Sequence, residues 1–165
     1  MQRPDVRTSN SKRGSTPMTD CVFCKIVLKQ LPAIVVHEDE HTLGFMDIAQ
    51  VNPGHVLVAL KAHSENLYAL NEVQAGAVFG AAAHLARAIR DVFGPQGLSV
   101  YQANGAAAGQ QVFHFHLHLI PRYDGDGVTL IWPRKNPPRE ELEGYAAKIR
   151  AGLAHRKDIE AAGDV

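Results

Sequence analysis

Residues 113–120 read Phe-His-Phe-His-Leu-His-Leu-Ile, in which histidines alternate with apolar residues. Successive side chains of a β-strand point to opposite faces. The alternation therefore predicts a strand with His114, His116 and His118 on one face and apolar residues in the core. Three imidazoles on one strand face are costly to bury without partners. The row thus predicts a functional site rather than an isolated core histidine.

Two kinds of chemistry fit this row of imidazoles. Imidazoles two residues apart on a strand can share one metal ion. Alternatively, one imidazole attacks phosphorus while its neighbours donate hydrogen bonds. The preceding segment, residues 105–111 (GAAAGQQ), is small enough to let backbone approach a ligand, and its N–H groups and two amides suit an anion. Loop and histidines together favour a phosphate site with catalytic groups beside it.

The other patterns predict an α+β domain with a mostly antiparallel sheet. Residues 34–37 and 42–48 flank an acidic turn and predict a hairpin, and residues 55–60, apolar on both faces, are typical of a central strand. A long helix is predicted over 72–93, because apolar residues recur there at three- and four-residue spacing. Two more strands and a last amphipathic helix are predicted over 98–103, 112–120 and 138–154. Strands and helices do not alternate regularly, which favours α+β over α/β.

The chain is expected to have three parts. Residues 1–19 carry four basic residues and one acidic residue among Ser, Thr and Pro, so they predict a flexible tail. Residues 20–136 form the domain, and residues 137–165 form a C-terminal helix and tail.

Composition excludes several classes of protein. Lys+Arg and Asp+Glu both number 17, so a nucleic-acid binder that works by bulk charge is not expected. The apolar stretches are shorter than the roughly 20 residues of a membrane span, and no secretory signal follows the start. Two cysteines are too few for a disulfide framework, which predicts a reducing cytoplasm.

These residues resemble the histidine triad (HIT) family, whose signature is three histidines alternating with hydrophobic residues. Residues 114–120 match that signature at every position. The resemblance runs from about Cys21 to Trp132, and the bacterial branch near the purine-nucleoside phosphoramidate hydrolases is the most similar. It implies a HIT-like fold with a five-stranded antiparallel sheet, one long helix and a C-terminal helix. It also implies a homodimer with a ten-stranded sheet, in which the segment near Trp132 reaches toward the partner's site.

The resemblance implies a nucleotide-binding hydrolase or transferase. Such enzymes cleave at the α-phosphorus of nucleoside 5′-phosphoramidates or adenylated small molecules. By position, His116 is the nucleophile that forms a nucleotidyl-histidine, His118 donates to the phosphate or leaving group, and His114 completes the triad. A purine nucleotide substrate would be bound by Phe23, Asp47, Ile48, His55, Asn104, Gly109, Gln110 and Gln111. Of these, Asp47 matches the ribose position, Ile48 and Phe23 the base position, and the two glutamines and Asn104 the phosphate position.

Two alternatives to this activity stay open. One is hydrolysis of dinucleoside polyphosphates, as in the fragile histidine triad branch. The other is a nucleotide- or partner-binding module with vestigial catalysis. Gln111 also departs from the family pattern, because several members carry Ser or Thr there.

The cysteine pair suggests a metal. Cys21 and Cys24 have the spacing of half a zinc site, and a redox pair is the rival interpretation. The resemblance supplies His63 and His114 as the remaining ligands. It therefore implies a structural zinc with four protein ligands and no catalytic metal. A hydrolase that uses the three histidines to bind a catalytic metal is the alternative.

Overall fold

The computed structural model describes residues 20–129 and 133–162 of the chain. The chain divides after Val128 into two compact units, and the last helix lies in the second. The helices and strands are α1 Val22–Val27, β1 Val35–Glu38, β2 Thr42–Met46, β3 Val56–Leu60, α2 Glu72–Phe93, β4 Gly97–Tyr101, β5 His116–Arg122 and α3 Arg139–Ala162. The predicted tail, residues 1–19, and Trp132 lie outside the described residues, so the predicted three-part organisation stays a prediction.

The five strands form one antiparallel sheet in the order β1-β2-β3-β5-β4. The predicted α+β class with a five-stranded antiparallel sheet is therefore confirmed. Strand β5 lies between β3 and β4, and His118 pairs with Leu57 on one side and Tyr101 on the other. The histidine-bearing strand is thus held from both sides, which fixes the direction of its side chains.

Helix α2 covers one face of the sheet. It begins at a capping box formed by Asn71 and Gln74 and ends at Gly94, whose φ of 56° is left-handed. Its buried face packs on alternate residues of β3 and β5. These buried residues are Val56, Val58, Leu60, Val78, Ala81, Ala82, Leu85, Ile89, Leu117 and Leu119. Because strand side chains alternate, His116 and His118 project from the opposite face.

A smaller core lies on that opposite face, beneath α1. Phe23 and Phe45 meet edge to face with their ring centroids 5.3 Å apart. Leu43, Leu57 and Ala59 complete this core together with Cys21 and Cys24. The cysteines are therefore part of the packing that supports the face on which the histidines lie.

The predicted start of the histidine strand was wrong. Strand β5 begins at His116, not near residue 112. The reason lies in the backbone: the N–H of Phe115 donates to the carbonyl of Ser64 at 2.6 Å, so the chain bonds to a loop before it joins the sheet.

The C-terminal helix was predicted correctly in type but ends later than the predicted residue 154. Within the described ranges, no helix combines the length and apolar character needed to cross a membrane.

Candidate active site

A cavity of about 850 Å³ opens on the face of the sheet opposite α2. Most of the predicted site residues line it: Phe23, Asp47, Ile48, Gly109, Gln110, Gln111, His116 and His118. Three predicted residues, His55, His114 and Asn104, lie beside this cavity lining rather than in it. The structure therefore brings the loop, the end of β2 and two of the three triad histidines into one site.

His116 is held in a defined tautomer. Its Nδ1–H donates to the backbone carbonyl of His114 at 2.6 Å, so Nε2 carries the lone pair. Burial lowers the pKa of this imidazole, although the same backbone hydrogen bond and nearby Asp47 oppose the effect. The ring of Phe23 meets it edge-on, 5.0 Å away between centroids. His116 is therefore a neutral imidazole in a fixed orientation, as a nucleophile requires.

His118 belongs to a chain of hydrogen bonds that begins at the backbone. The N–H of Val51 donates to Nδ1 of His55 at 3.4 Å, which leaves the proton of His55 on Nε2. That Nε2 lies 3.0 Å from Nδ1 of His118, so His118 accepts there and keeps its own proton on Nε2. Burial, followed by the neighbouring imidazoles, lowers the pKa of His118 to about 4. At neutral pH the ring is uncharged and is a donor through Nε2.

Asp47 completes this group. Its Oδ1 accepts from the N–H of Ala49 at 2.8 Å, while Oδ2 faces Nε2 of His55 at 3.5 Å and Nδ1 of His118 at 3.7 Å. The resemblance implies that His55 is a substrate-binding residue. The structure buries it behind His118, where burial lowers its pKa. Sequence reasoning missed this supporting position, since only pairing of β3 with β5 brings the two rings together.

The loop before β5 is shaped by Gln110. Its Oε1 accepts from the N–H of Gly105 at 2.6 Å, and its Nε2 donates to the carbonyls of Glu65 at 2.6 Å and Val112 at 3.1 Å. Both amide hydrogens are therefore engaged with backbone. Gly105 and Gly109 have φ values of 80° and 86°, a region that favours glycine. The buried amide fixes the curve of the loop, and Gln111 is left exposed at the cavity.

Asn104 is engaged in a similar way. Its Oδ1 accepts from the N–H of Leu67 at 2.7 Å and from Nε2 of Gln102 at 3.0 Å. Its amide joins the loop to the 3₁₀ turn at Leu67–Ala69. Phosphate binding by Asn104 and Gln110 stays a prediction, and in this structure both side chains bond to protein groups.

Apolar residues of α1 and the neighbouring strands complete the cavity wall. Val22 and Ile26 stand on the same side of α1, one turn apart, and line the cavity with Phe23. Ile34, Phe45 and Met46 also line it. Sequence reasoning missed these residues, although the spacing of Val22 and Ile26 beside the cysteine pair was a signal for them.

Four metal-ligand atoms meet beneath the cavity. The Sγ atoms of Cys21 and Cys24 and the ring nitrogens of His63 and His114 lie within 4.8 Å of one another. The sulfur-to-Nδ1 distances are 3.4 Å and 3.5 Å to His114, and 3.2 Å from Cys24 to His63. Tetrahedral zinc with ordinary bond lengths separates sulfur from nitrogen by about 3.6 Å. The spacing therefore fits zinc.

The protonation of these groups also fits a metal. His114 donates from Nε2 to the carbonyl of Leu60 at 2.7 Å, so its Nδ1 lone pair faces the sulfurs. Burial lowers its pKa to about 4, which keeps the ring neutral. Burial, with a hydrogen bond from Cys21, raises the pKa of the Cys24 thiol to about 11. A bound ion would displace the thiol protons, and four protein donors leave no coordination position for substrate.

The sequence matches the model of the HIT domain over residues 28–125. It is 45% identical over 138 residues to Protein hit of Bacillus subtilis, covering 82% of this chain and 95% of that protein. The structure superposes on a HIT family protein of Bacillus anthracis with a TM-score of 0.77 and 41% identity, covering 81% of this chain and 96% of the other. The chain belongs to the HIT domain family, and the resemblance drawn from the sequence is confirmed.

Two further relatives have descriptive names. Adenosine 5′-monophosphoramidase hnt1 of Schizosaccharomyces pombe is 32% identical over 134 residues, covering 81% of this chain and 98% of that protein. A Zn-bound histidine triad family protein of Mycobacterium smegmatis gives a TM-score of 0.64 at 35% identity, covering 84% of this chain and 99% of the other. The family thus includes proteins named as hydrolases and a member with bound zinc.

Proposed function

We propose that this protein hydrolyses nucleoside 5′-phosphoramidates or adenylated small molecules at the α-phosphorus, through a covalent nucleotidyl-His116. The hydrogen bond from Nδ1 of His116 to the carbonyl of His114 carries the proposal, because it leaves a neutral imidazole with its Nε2 lone pair available. The relative named as an adenosine 5′-monophosphoramidase supports the same chemistry.

The reaction then has two displacements at phosphorus. In the first, the anionic phosphate binds together with a proton that makes His118 cationic. Nε2 of His116 then bonds to phosphorus, the bond from phosphorus to the leaving nitrogen breaks, and that nitrogen takes the Nε2 proton of His118, which becomes a neutral ring. The ring of His116 becomes cationic, and the carbonyl of His114 stabilises the charge at Nδ1–H. In the second, His118 accepts a proton from water, the oxygen bonds to phosphorus, and His116 leaves as a neutral ring. The products are a nucleoside monophosphate and an amine.

The charge of the cavity favours an amine as leaving group. Among the described lining residues there is no lysine and no arginine, and Asp47 contributes a carboxylate. A polyphosphate or sulfate leaving group would therefore find no cationic side chain there. An amine that departs after protonation needs none.

The apolar wall suits the nucleoside. Val22, Phe23 and Ile26 form an apolar surface, and the fully exposed side chain of Ile48 stands at the cavity. A purine placed against this surface would bury its faces without hydrogen bonds to its edge. Asp47, at the end of β2, would then accept from the ribose hydroxyls through a carboxylate oxygen.

Zinc is the metal that the four-donor cluster would hold. Two thiolates and two neutral imidazoles are a typical structural zinc set, and bound zinc would join α1 to the segment before β5. The zinc-bound relative supports this assignment. Metal analysis of purified protein, with Cys24→Ser as the ligand variant, tests it.

A homodimer in a reducing cytoplasm completes the proposal. Strand β4 is an edge strand of the sheet, and its residues Val100 and Tyr101 are partly exposed, so a second copy would extend the sheet there. Both cysteines are free thiols, as a reducing compartment requires. Light scattering on a sizing column measures the mass of the assembly.

A substrate panel tests the activity. Adenosine 5′-phosphoramidate, adenylyl sulfate and a dinucleoside polyphosphate are incubated with the protein, and AMP is identified by chromatography. We expect AMP from the phosphoramidate at the highest rate, and none with His116→Ala. His84→Ala, an exposed histidine of α2, is the matched control. AMP binding without turnover of any substrate would instead identify a binding module.

A further inference from the structure

Helix α1 connects the metal cluster to the cavity. It has six residues, and helices shorter than about 12 residues are marginal on their own in water. Its first flanking residue, Cys21, makes no side-chain capping bond. The helix is therefore held by its neighbours, through the edge-to-face packing of Phe23 on Phe45 and through the sulfurs of Cys21 and Cys24. The helix residues that line the cavity are Val22, Phe23 and Ile26.

His114 connects the cluster to the nucleophile. Its ring nitrogen faces the two sulfurs, while its backbone carbonyl accepts the Nδ1 proton of His116 at 2.6 Å. The ring of Phe23 lies 5.8 Å from that of His114 and 5.0 Å from that of His116, between centroids. Any interaction that holds the ring of His114 in place therefore also holds its backbone carbonyl, which sets the tautomer of His116.

His63 connects the cluster to the loop of residues 105–111. Two residues beyond it, the carbonyl of Glu65 accepts from Nε2 of Gln110 at 2.6 Å. Gln110 in turn holds the N–H of Gly105 at the start of the loop. The four donors thus lead, by three separate routes, to the apolar wall, the nucleophile and the loop.

From these contacts we propose that zinc in the cluster and nucleotide in the cavity strengthen each other's binding. In the metal-free chain, the two cysteines and two histidines are joined only by weak hydrogen bonds, and α1 is freer to move. Zinc replaces these bonds by coordination and fixes the cavity wall in advance, so nucleotide binding orders less of the chain. This inference rests on the proposed function, because it takes both the zinc site and the nucleotide site as given.

The experiment is a linkage cycle on the full chain. The Kd of AMP is measured by calorimetry on zinc-loaded and chelator-stripped protein, with circular dichroism confirming that both are folded. We expect AMP to bind about 5- to 150-fold more weakly to the stripped protein, the usual range of such coupling. The Kd of zinc, measured by competition with a chromophoric chelator, must then change by the same factor when AMP saturates the protein.

A second measurement remains informative if the protein unfolds when the chelator removes its zinc. Zinc-loaded protein is mixed with excess chelator, and the rate of zinc loss is followed with and without AMP. AMP should slow zinc loss several-fold. An unchanged rate overturns the coupling even if the metal-free protein cannot be studied.

Phe23→Leu tests whether the coupling between zinc and nucleotide passes through the ring of Phe23, without changing the metal ligands. It keeps all four donor residues, so zinc should bind as in the parent, while the effect of zinc on AMP affinity becomes smaller. Phe79→Leu, the same substitution at an exposed position of α2, should preserve the full effect. Equal coupling in the parent and Phe23→Leu would exclude the route through this ring.

The possible failures are distinguishable. Protein that binds no zinc overturns the metal site and this inference with it. Protein that binds zinc but no AMP overturns the proposed function and this inference together. Protein that binds both with an AMP Kd independent of zinc overturns the coupling alone.

Discussion

His118→Ala should separate leaving groups that need a proton from those that do not. In the structure, His118 has its proton on Nε2 because His55 donates to its Nδ1 at 3.0 Å. A positioned general acid contributes about 10²- to 10⁴-fold to the rate, which is about 3–5 kcal/mol of barrier. We expect hydrolysis of adenosine 5′-phosphoramidate to slow by this factor, because an amine anion is a very poor leaving group.

The comparison substrate is a p-nitrophenyl ester of AMP, whose phenolate leaves without protonation. Its burst phase, which reports the first displacement, should slow by less than about 10-fold in His118→Ala, since the transferred proton is the only catalytic term removed. Stopped-flow absorbance measures the burst, and chromatography of AMP measures phosphoramidate turnover. His84→Ala should change neither rate. If both substrates slow by the same large factor, His118 is not the acid and the proposed tautomer is wrong.

Three further predictions concern stability and the loop. Leu85→Ala, in the core between α2 and the sheet, should lower the free energy of unfolding by about 2–5 kcal/mol in urea titrations and leave the Kd of AMP unchanged. Gly109→Ala should cost about 1–2 kcal/mol and raise KM, because φ is 86° there, whereas the added Cβ would meet the Tyr101 hydroxyl at an ordinary 3.6 Å. An unchanged KM would show that the loop backbone does not contact substrate. The pKa of His118 is lowered from its ordinary value to about 4, so the unfolded chain binds more protons between pH 6.5 and 4. Urea titrations should therefore show the free energy of unfolding falling as pH falls through this window, and His118→Gln should weaken that dependence.

Local patterns identified most of the elements correctly. The long helix was predicted at about residues 72–93 and extends over Glu72–Phe93, because its capping box and Gly94 are local signals whose partners lie within a few residues. The start of β5 was misplaced, since the bond from Phe115 to Ser64 joins residues far apart in the chain. A boundary that depends on such a contact has no local signal.

The sequence predicted the residue types of the candidate site but not their contacts. Asp47, His116 and His118 line one cavity, and their roles there stay predictions. The sequence could not show that the side chain of Gln110 bonds to the backbone of the loop, because an amide is equally able to bind phosphate or to hold a loop. The choice depends on which carbonyls the folded chain brings to it.

Spacing and residue type are local properties, so the sequence could predict a strand with three alternating histidines after a loop of small residues, and a cysteine pair with the spacing of half a zinc site. Which group each histidine faces depends on the tertiary structure. His114 faces the sulfurs, His116 faces the cavity, and His118 is supported by His55. The physical reason is that each imidazole has two nitrogens, and its role is set by whichever group the fold places against the other one.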